Sequence, residues 1–151
     1  IVPREYHLKF RVIIIGDGED FNKLSDYLKK NNLQNIFLLG FKNNPYQYIK
    51  NSNFFISSSL WEEPGHAILE AGYLNKLIIS SDCPNGPKEI LKDNINSIKY
   101  PSGDHYRLAE IIESILRGDI NNELKLKLNM KKMIKNYTMI HFANKIKSIL
   151  N

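Results

Sequence analysis

The sequence predicts an α/β fold built on a mainly parallel sheet. Short β-branched runs alternate with segments whose apolar residues recur at helical spacing. The stretches joining successive runs are long enough for βαβ crossovers, where an antiparallel pair would need only a tight turn. A length of 151 residues suits one domain with a single sizeable core.

Each element follows from its local pattern. Phe10 to Ile15 is a β-branched run ending at Gly16, the signature of a strand buried on both faces. Phe21, Leu24, Tyr27 and Leu28 then share a helical face that ends near Asn31-Asn32. Ile36 to Leu39 reads as a second strand stopped by Gly40. Asn44-Pro45 starts a short helix to about Asn51, with Asn as cap and Pro in the first turn, where its missing N–H costs nothing. Phe54 to Ile56 forms a third strand, and a helix follows from Gly65 or His66 to Leu74. Leu77 to Ser80 is a fourth strand, Lys88 to Leu91 one helical turn, and Asn96 to Tyr100 a last short strand. Asp104 caps a helix whose Leu108, Ile111, Ile112 and Ile115 fall on one face. Helical segments over Glu123–Lys135 and Met139–Leu150 finish the chain. Ligands of parallel sheets bind at the carboxyl ends of the strands, so the loops after Gly16, Gly40, Ser57 and Ser80 are the places to look for a site.

Composition narrows the class. Hydrophobic content of 42% with 25% charged residues is ordinary for a globular domain. No apolar run reaches the length of a membrane span, and the first residues lack a signal-peptide pattern. Cys83 has no second cysteine to pair with, which points to a reducing compartment and to the cytoplasm. The net charge is +5, with Lys125, Lys127, Lys131, Lys132, Lys135, Lys145 and Lys147 concentrated after Arg117. These lysines read as a solvated helical face; attraction to an anionic membrane surface or to a phosphorylated acceptor is the alternative, and the former would place the protein peripherally on the membrane's inner face. A nucleic-acid partner is not expected, because no recognition helix or stacking-aromatic module accompanies them.

Two loops carry the chemistry. Gly16-Asp17-Gly18 lies between a strand and a helix, but Phe21 stands where a dinucleotide fingerprint needs its third glycine, so a nicotinamide cofactor is not indicated. The segment from Ser57 to Ala71 leaves a strand's carboxyl end, turns through Pro64-Gly65 and enters a helix. Backbone N–H groups at such a helix start form an anion site, and glycine lets a phosphate approach the main chain closely. Glu70 lies about one turn inside that helix, and helical side chains lean toward the N-terminus, so its carboxylate can accept hydrogen bonds from sugar hydroxyls beside the anion. Glu62 can approach from the loop side. Spacing alone leaves another reading open, with Glu62 and Glu63 as solvated loop residues and Glu70 as an exposed helical glutamate. His66 is either a hydrogen-bond donor to the ligand or an early-helix residue whose backbone matters more than its ring. Cys83 reads as a packed small residue in a proline-rich turn. Glu89 reads as a local capping residue, with direct ligand contact as the lesser alternative.

Glu62 and Glu70 keep the spacing Glu, seven residues, Glu. Around them, in order, stand Ile14-Ile15-Gly16-Asp17-Gly18, Leu38-Leu39-Gly40-Phe41, Asn44-Pro45-Tyr46, Ser57-Ser58-Ser59, Leu69-Glu70-Ala71 and Ser81-Asp82-Cys83-Pro84-Asn85-Gly86-Pro87-Lys88-Glu89-Ile90-Leu91. This ordered set, from about Val12 to the C-terminus, resembles the C-terminal domain of retaining family-4 (group 1) glycosyltransferases. The resemblance implies a three-layer Rossmann-like domain of the GT-B fold, lacking its first strand–helix unit and ending in helices. Residues 1–151 would then be a single partial domain, the nucleotide-sugar-binding half, with the N-terminal acceptor domain outside it. It further implies a UDP- or GDP-sugar donor and a glycan or lipid-linked acceptor, with no cofactor and no bound metal.

By the same resemblance Glu62 would be the catalytic-site residue on the transferred sugar, and Glu70 the ribose ligand. The backbone at Gly65, His66 and Ala67 would meet the diphosphate or sugar. Main-chain groups near Phe41 and Lys42 would receive the base, and the Gly16 turn would border the crevice. Glu63 stands where the family often has glycine and Pro64 where an aromatic is common, which leaves the donor open. The Arg and Lys that neutralise the diphosphate in the family do not fit within Ile1–Lys9, so these 151 residues alone are not expected to complete transfer. A nucleotide-sugar epimerase of similar fold and a non-catalytic membrane- or partner-binding domain are the competing expectations.

Overall fold

In a computed structural model of the chain, residues 2–7, 9–138 and 147 are described. The elements run β1 Val12–Ile14, α1 Phe21–Lys30, β2 Ile36–Leu38, α2 Tyr46–Asn51, β3 Phe54–Ser57, α3 His66–Tyr73, β4 Leu77–Ser81, α4 Gly86–Ile90, β5 Ile98–Tyr100, α5 His105–Arg117 and α6 Glu123–Ile134. Every strand pairing is parallel. The helix expected over Met139–Leu150 lies outside the described residues, Lys147 excepted. Among the described residues no helix is long and apolar enough to cross a membrane.

β4 organises the core. All five of its residues are buried, as expected of a strand covered on both faces. Successive strand side chains point to opposite faces, so Ile78 and Ile79 enter different clusters. Ile78 packs with Ile68 and Ala71 of α3 and with Met130 and Ile134 of α6. Ile79 packs with Tyr100 and with Ile111 of α5. Helices therefore cover both sides of the sheet, the three-layer arrangement expected from the alternation of elements.

The α5 pattern explains its own ends. Asp104 accepts a 2.9 Å hydrogen bond from the backbone N–H of Arg107, and Gly118 closes the helix in the left-handed region at φ +81°. At α2 the chain differs slightly from expectation: Pro45 holds the cap position, while Asn44 Oδ1 accepts from the Tyr46 N–H at 3.2 Å. The helix stops at Ser52, where Lys76 Nζ donates to Lys50 O at 2.6 Å and Ser52 O at 2.8 Å. Burial, and then the charge of Lys127, push the Lys76 ammonium below its usual pKa.

Two expectations are corrected. The strands do not form one sheet but two, ordered β1-β2 and β3-β4-β5. Nor is β1 buried on both faces. Ile13 is 47% exposed and Ile14 38%, and Phe37, the register partner of Ile13, is 41% exposed. An apolar run states what a strand is able to bury; burial itself requires layers on both sides. The two-stranded sheet is short of such cover, and α1 has no fully buried residue.

At Gly72 α3 packs tightly against side chains of α6. A Cβ there would lie 2.6 Å from Ile134 Cδ1 and 2.7 Å from Met130 Cε. Those atoms are the ends of flexible side chains, and alanine's better helix propensity offsets part of the crowding. Gly72→Leu gains a similar propensity but brings three more carbons into the same crowded contact, and is expected to lower unfolding stability by about 1–3 kcal/mol, the usual range for overpacking. Urea denaturation of the two variants checks this, with Gly72→Ala remaining nearer the parent.

Candidate functional site

The polar loop from Ser57 to Gly65 connects the carboxyl end of β3 to α3. The end of β4 and the start of α4 fix its course. Ser81, at the end of β4, donates through Oγ to Ser59 O at 2.5 Å. Ser59 in turn donates through its own Oγ to Glu62 Oε2 at 2.9 Å. Glu62 pairs along the backbone with Asn85, and its carbonyl accepts from Gly86 N at 3.1 Å. The half-buried Glu62 carboxylate is thus oriented by a hydroxyl, and its main chain is clamped against the start of α4.

Glycine is required at two positions of that clamp. Gly65 opens α3 in the left-handed region at φ +83°, with no side chain capping the helix. Gly65 is buried, while His66 and Ala67 are exposed, so the first turn of α3 faces solvent. Gly86 is the second. A Cβ on it would come within 2.5 Å of Pro64 O and 2.6 Å of Pro64 C, both backbone atoms. The peptide bond between Glu63 and Pro64 is cis.

Glu70 lies in the next turn of α3, half-buried. Its Oε1 accepts a 3.1 Å hydrogen bond from the Tyr46 hydroxyl at the start of α2. That bond first, then the carboxylate's charge and lastly slight burial, push the Tyr46 phenol above its usual pKa, so the hydroxyl keeps its proton at neutral pH. Glu62 and Glu70 share no hydrogen bond; each has its own hydroxyl partner. Phe41 and Lys42 lie on the loop leading from β2 toward Tyr46, Phe41 being largely exposed. Gly16 reaches the same loop, donating from its N–H to Gly40 O at 3.1 Å.

The structure therefore gathers the expected residues at the carboxyl ends of β1, β2 and β3, the end where parallel sheets bind ligands. His66 is exposed, in keeping with either of its readings. Cys83 is buried, as expected of a packed residue. Glu89 is exposed on α4, and its backbone N–H bonds Asn85 O. Three contributors were missed in the sequence: Tyr46, Ser59 and Gly86. Tyr46 was within reach, since it follows the loop after Gly40; its pairing with a residue 24 positions away was not.

The family described as glycosyl transferases group 1 matches residues 2–138. An uncharacterised glycosyltransferase of Methanocaldococcus jannaschii is 47% identical over 95 residues, covering 60% of this chain and 23% of that protein. The lipopolysaccharide 1,6-galactosyltransferase of Salmonella typhimurium is 28% identical over 117 residues, covering 74% of this chain and 33% of that one. The chain thus spans 23% and 33% of the length of these two relatives. Among solved structures, the UDP-glucose complex of the Anabaena protein HepE superposes with a TM-score of 0.83 at 20% identity, covering 99% of this chain and 42% of that one. TarM superposes with a TM-score of 0.80 at 21% identity, over 93% of this chain and 28% of that one. The matched span takes in the Gly65 turn, both glutamates and the loops around them, and the chain belongs to the group 1 glycosyl transferases, with the Rossmann-like architecture of the GT-B fold.

Proposed function

We propose that the chain is the donor-binding half of a retaining glycosyltransferase, which moves a sugar from a UDP- or GDP-sugar to a glycan or lipid-linked acceptor. The observation that carries this reading is the start of α3. Gly65 sits in the left-handed region there, no side chain caps the helix, and Glu62 and Glu70 flank it. A helix start of this kind attracts a phosphate through its unpaired N–H groups and its dipole. The diphosphate lies against the backbone of Gly65, His66 and Ala67. Glu70 accepts from the ribose hydroxyls, and Glu62 from a hydroxyl of the transferred sugar. The base lies against the main chain at Phe41 and Lys42, beside the Gly16 turn.

The UDP and UDP-glucose complexes of the Anabaena protein, which share the fold, support a uridine nucleotide as the first ligand to try. The acceptor domain, and the cations that neutralise the leaving diphosphate, belong on this reading to polypeptide outside the 151 residues. The relatives' greater length supports that division. On this reading the complete enzyme is cytoplasmic, and the exposed Lys125, Lys131, Lys132 and Lys135 form a solvated helical face, with peripheral contact to an anionic membrane as the alternative.

Titration of the chain with UDP and GDP, followed by backbone amide NMR, tests the reading. The amides of Gly65, His66 and Ala67 are expected to shift on saturation with at least one of the two. Amides there that stay unmoved with both nucleotides would remove the basis for a donor site.

A further inference from the structure

We infer that Tyr46 is a positioning residue for nucleotide binding, holding the Glu70 carboxylate in the orientation that receives a vicinal diol. The inference rests on the donor-site reading above and extends it to a residue that has no part there.

The geometry begins with α2. Asn44 Oδ1 takes the Tyr46 N–H at 3.2 Å and so fixes the first turn of the helix. From that turn the Tyr46 hydroxyl reaches across to α3 and donates to Glu70 Oε1 at 3.1 Å. A carboxylate on an otherwise unrestrained glutamate samples several rotamers, and ordering it is a cost that ligand binding must meet. Here the bond from Tyr46 meets part of that cost in the free protein. It also occupies one oxygen, while Oε2 has no hydrogen-bond partner among the described residues. An ionised carboxyl group offers about four acceptor sites, so Oε1 can keep Tyr46 while both oxygens accept from adjacent hydroxyls. Neighbouring 2′ and 3′ hydroxyls of a ribose present that pair of donors. The Tyr46 ring is 48% exposed, so it guides the carboxylate from the rim of the site, not from within the core.

The same arrangement ties the α2 loop, which carries Phe41 and Lys42, to the helix that carries Glu70. A phenylalanine at position 46 would keep the ring and remove only the donor. That makes Tyr46→Phe a clean probe of orientation.

The test measures the affinity of the chain for UDP, GDP and their 2′,3′-dideoxy counterparts in the parent, Tyr46→Phe, Glu70→Ala and the double variant, with folding checked by amide NMR. Tyr46→Phe is expected to weaken ribonucleotide binding about 3- to 10-fold, the scale of one hydrogen bond. It should leave dideoxynucleotide binding unchanged and add nothing in the Glu70→Ala background. If Glu70→Ala weakens binding while Tyr46→Phe binds ribonucleotides as the parent does, the positioning role is overturned and the donor site stands. An equal loss for ribo- and dideoxynucleotides in Tyr46→Phe overturns it too, since the effect would not run through Glu70. If the parent binds neither UDP nor GDP, or Glu70→Ala has no effect, the donor reading fails and the inference with it.

Discussion

Glu70→Ala is expected to weaken nucleotide binding by about 10- to 100-fold, with the loss confined to ligands that carry ribose hydroxyls. The magnitude follows from the chemistry of the site. A hydrogen bond to a charged group contributes about 1.5–3 kcal/mol, and the loss of one of them converts to about that range of affinity. The substitution also leaves the Tyr46 hydroxyl without its acceptor, but that hydroxyl is exposed enough to turn to water. Folding should therefore be little affected, and the change should appear in ligand affinity. Calorimetry on the variant, together with its urea midpoint, separates the two quantities. In the complete transferase the same substitution should reduce donor use by a comparable factor. Parental affinity for both UDP and GDP in Glu70→Ala would exclude the ribose role.

The second large effect concerns a residue with no side chain at all. Gly86→Ala is expected to displace the Glu62 loop and to cost about 1–3 kcal/mol of stability, in the range seen when a close-packed site is overfilled. The added Cβ would lie 2.5 Å from Pro64 O, whereas real contacts of this kind stay beyond 3.0 Å. The obstacle is backbone, so no rotamer change relieves it. Either α4 moves away from the loop, breaking the Gly86 N–H bond to Glu62 O, or Pro64 and Gly65 shift together. The first route loosens the loop that leads into α3 and the second moves the first turn of α3 itself, where the proposed reading puts the phosphate. The expected signature is a lower urea midpoint, shifted amides from Glu62 to Ala67, and a weaker nucleotide affinity in the same protein. A variant that keeps parental stability and affinity would show that the clamp between α4 and the loop does not hold the site.

What the sequence disclosed, and what it withheld, follows from the range of the interactions involved. The helix α5 was legible because its determinants are local. Asp104 caps it, its apolar face recurs every three or four residues, and Gly118 ends it. The same holds for the start of α3, where Gly65 and the polar run before it mark a strand-to-helix turn. The spacing of Glu62 and Glu70 placed both near that turn, and the structure keeps them there. The partners of those glutamates were not legible. Tyr46 meets Glu70 only because α2 and α3 come together in space, and Gly86 meets Pro64 only because β4 delivers α4 beside the loop. Nor could the run Phe10–Ile15 reveal that Ile13 and Phe37 would share an open face. Periodicity reports what a segment is able to bury, and the layer that covers it is a property of the rest of the molecule.

The uneven core has a thermodynamic consequence for ligand binding. The buried clusters lie around β4, while β1, α1 and β2 contribute few buried side chains. A segment with little buried apolar area opens at lower free energy than the whole molecule unfolds. On the proposed reading the nucleotide touches both regions, the base against the loop after β2 and the diphosphate against α3. A ligand that binds only when both are in place stabilises the assembled state by mass action, about 2.7 kcal/mol at a hundredfold excess over its dissociation constant. Most of that gain would be felt by the β1–α1–β2 unit, which has the least to lose by opening. Within these 151 residues the nucleotide would then act as a tie, lending order to the β1–α1–β2 unit through the loop that follows it.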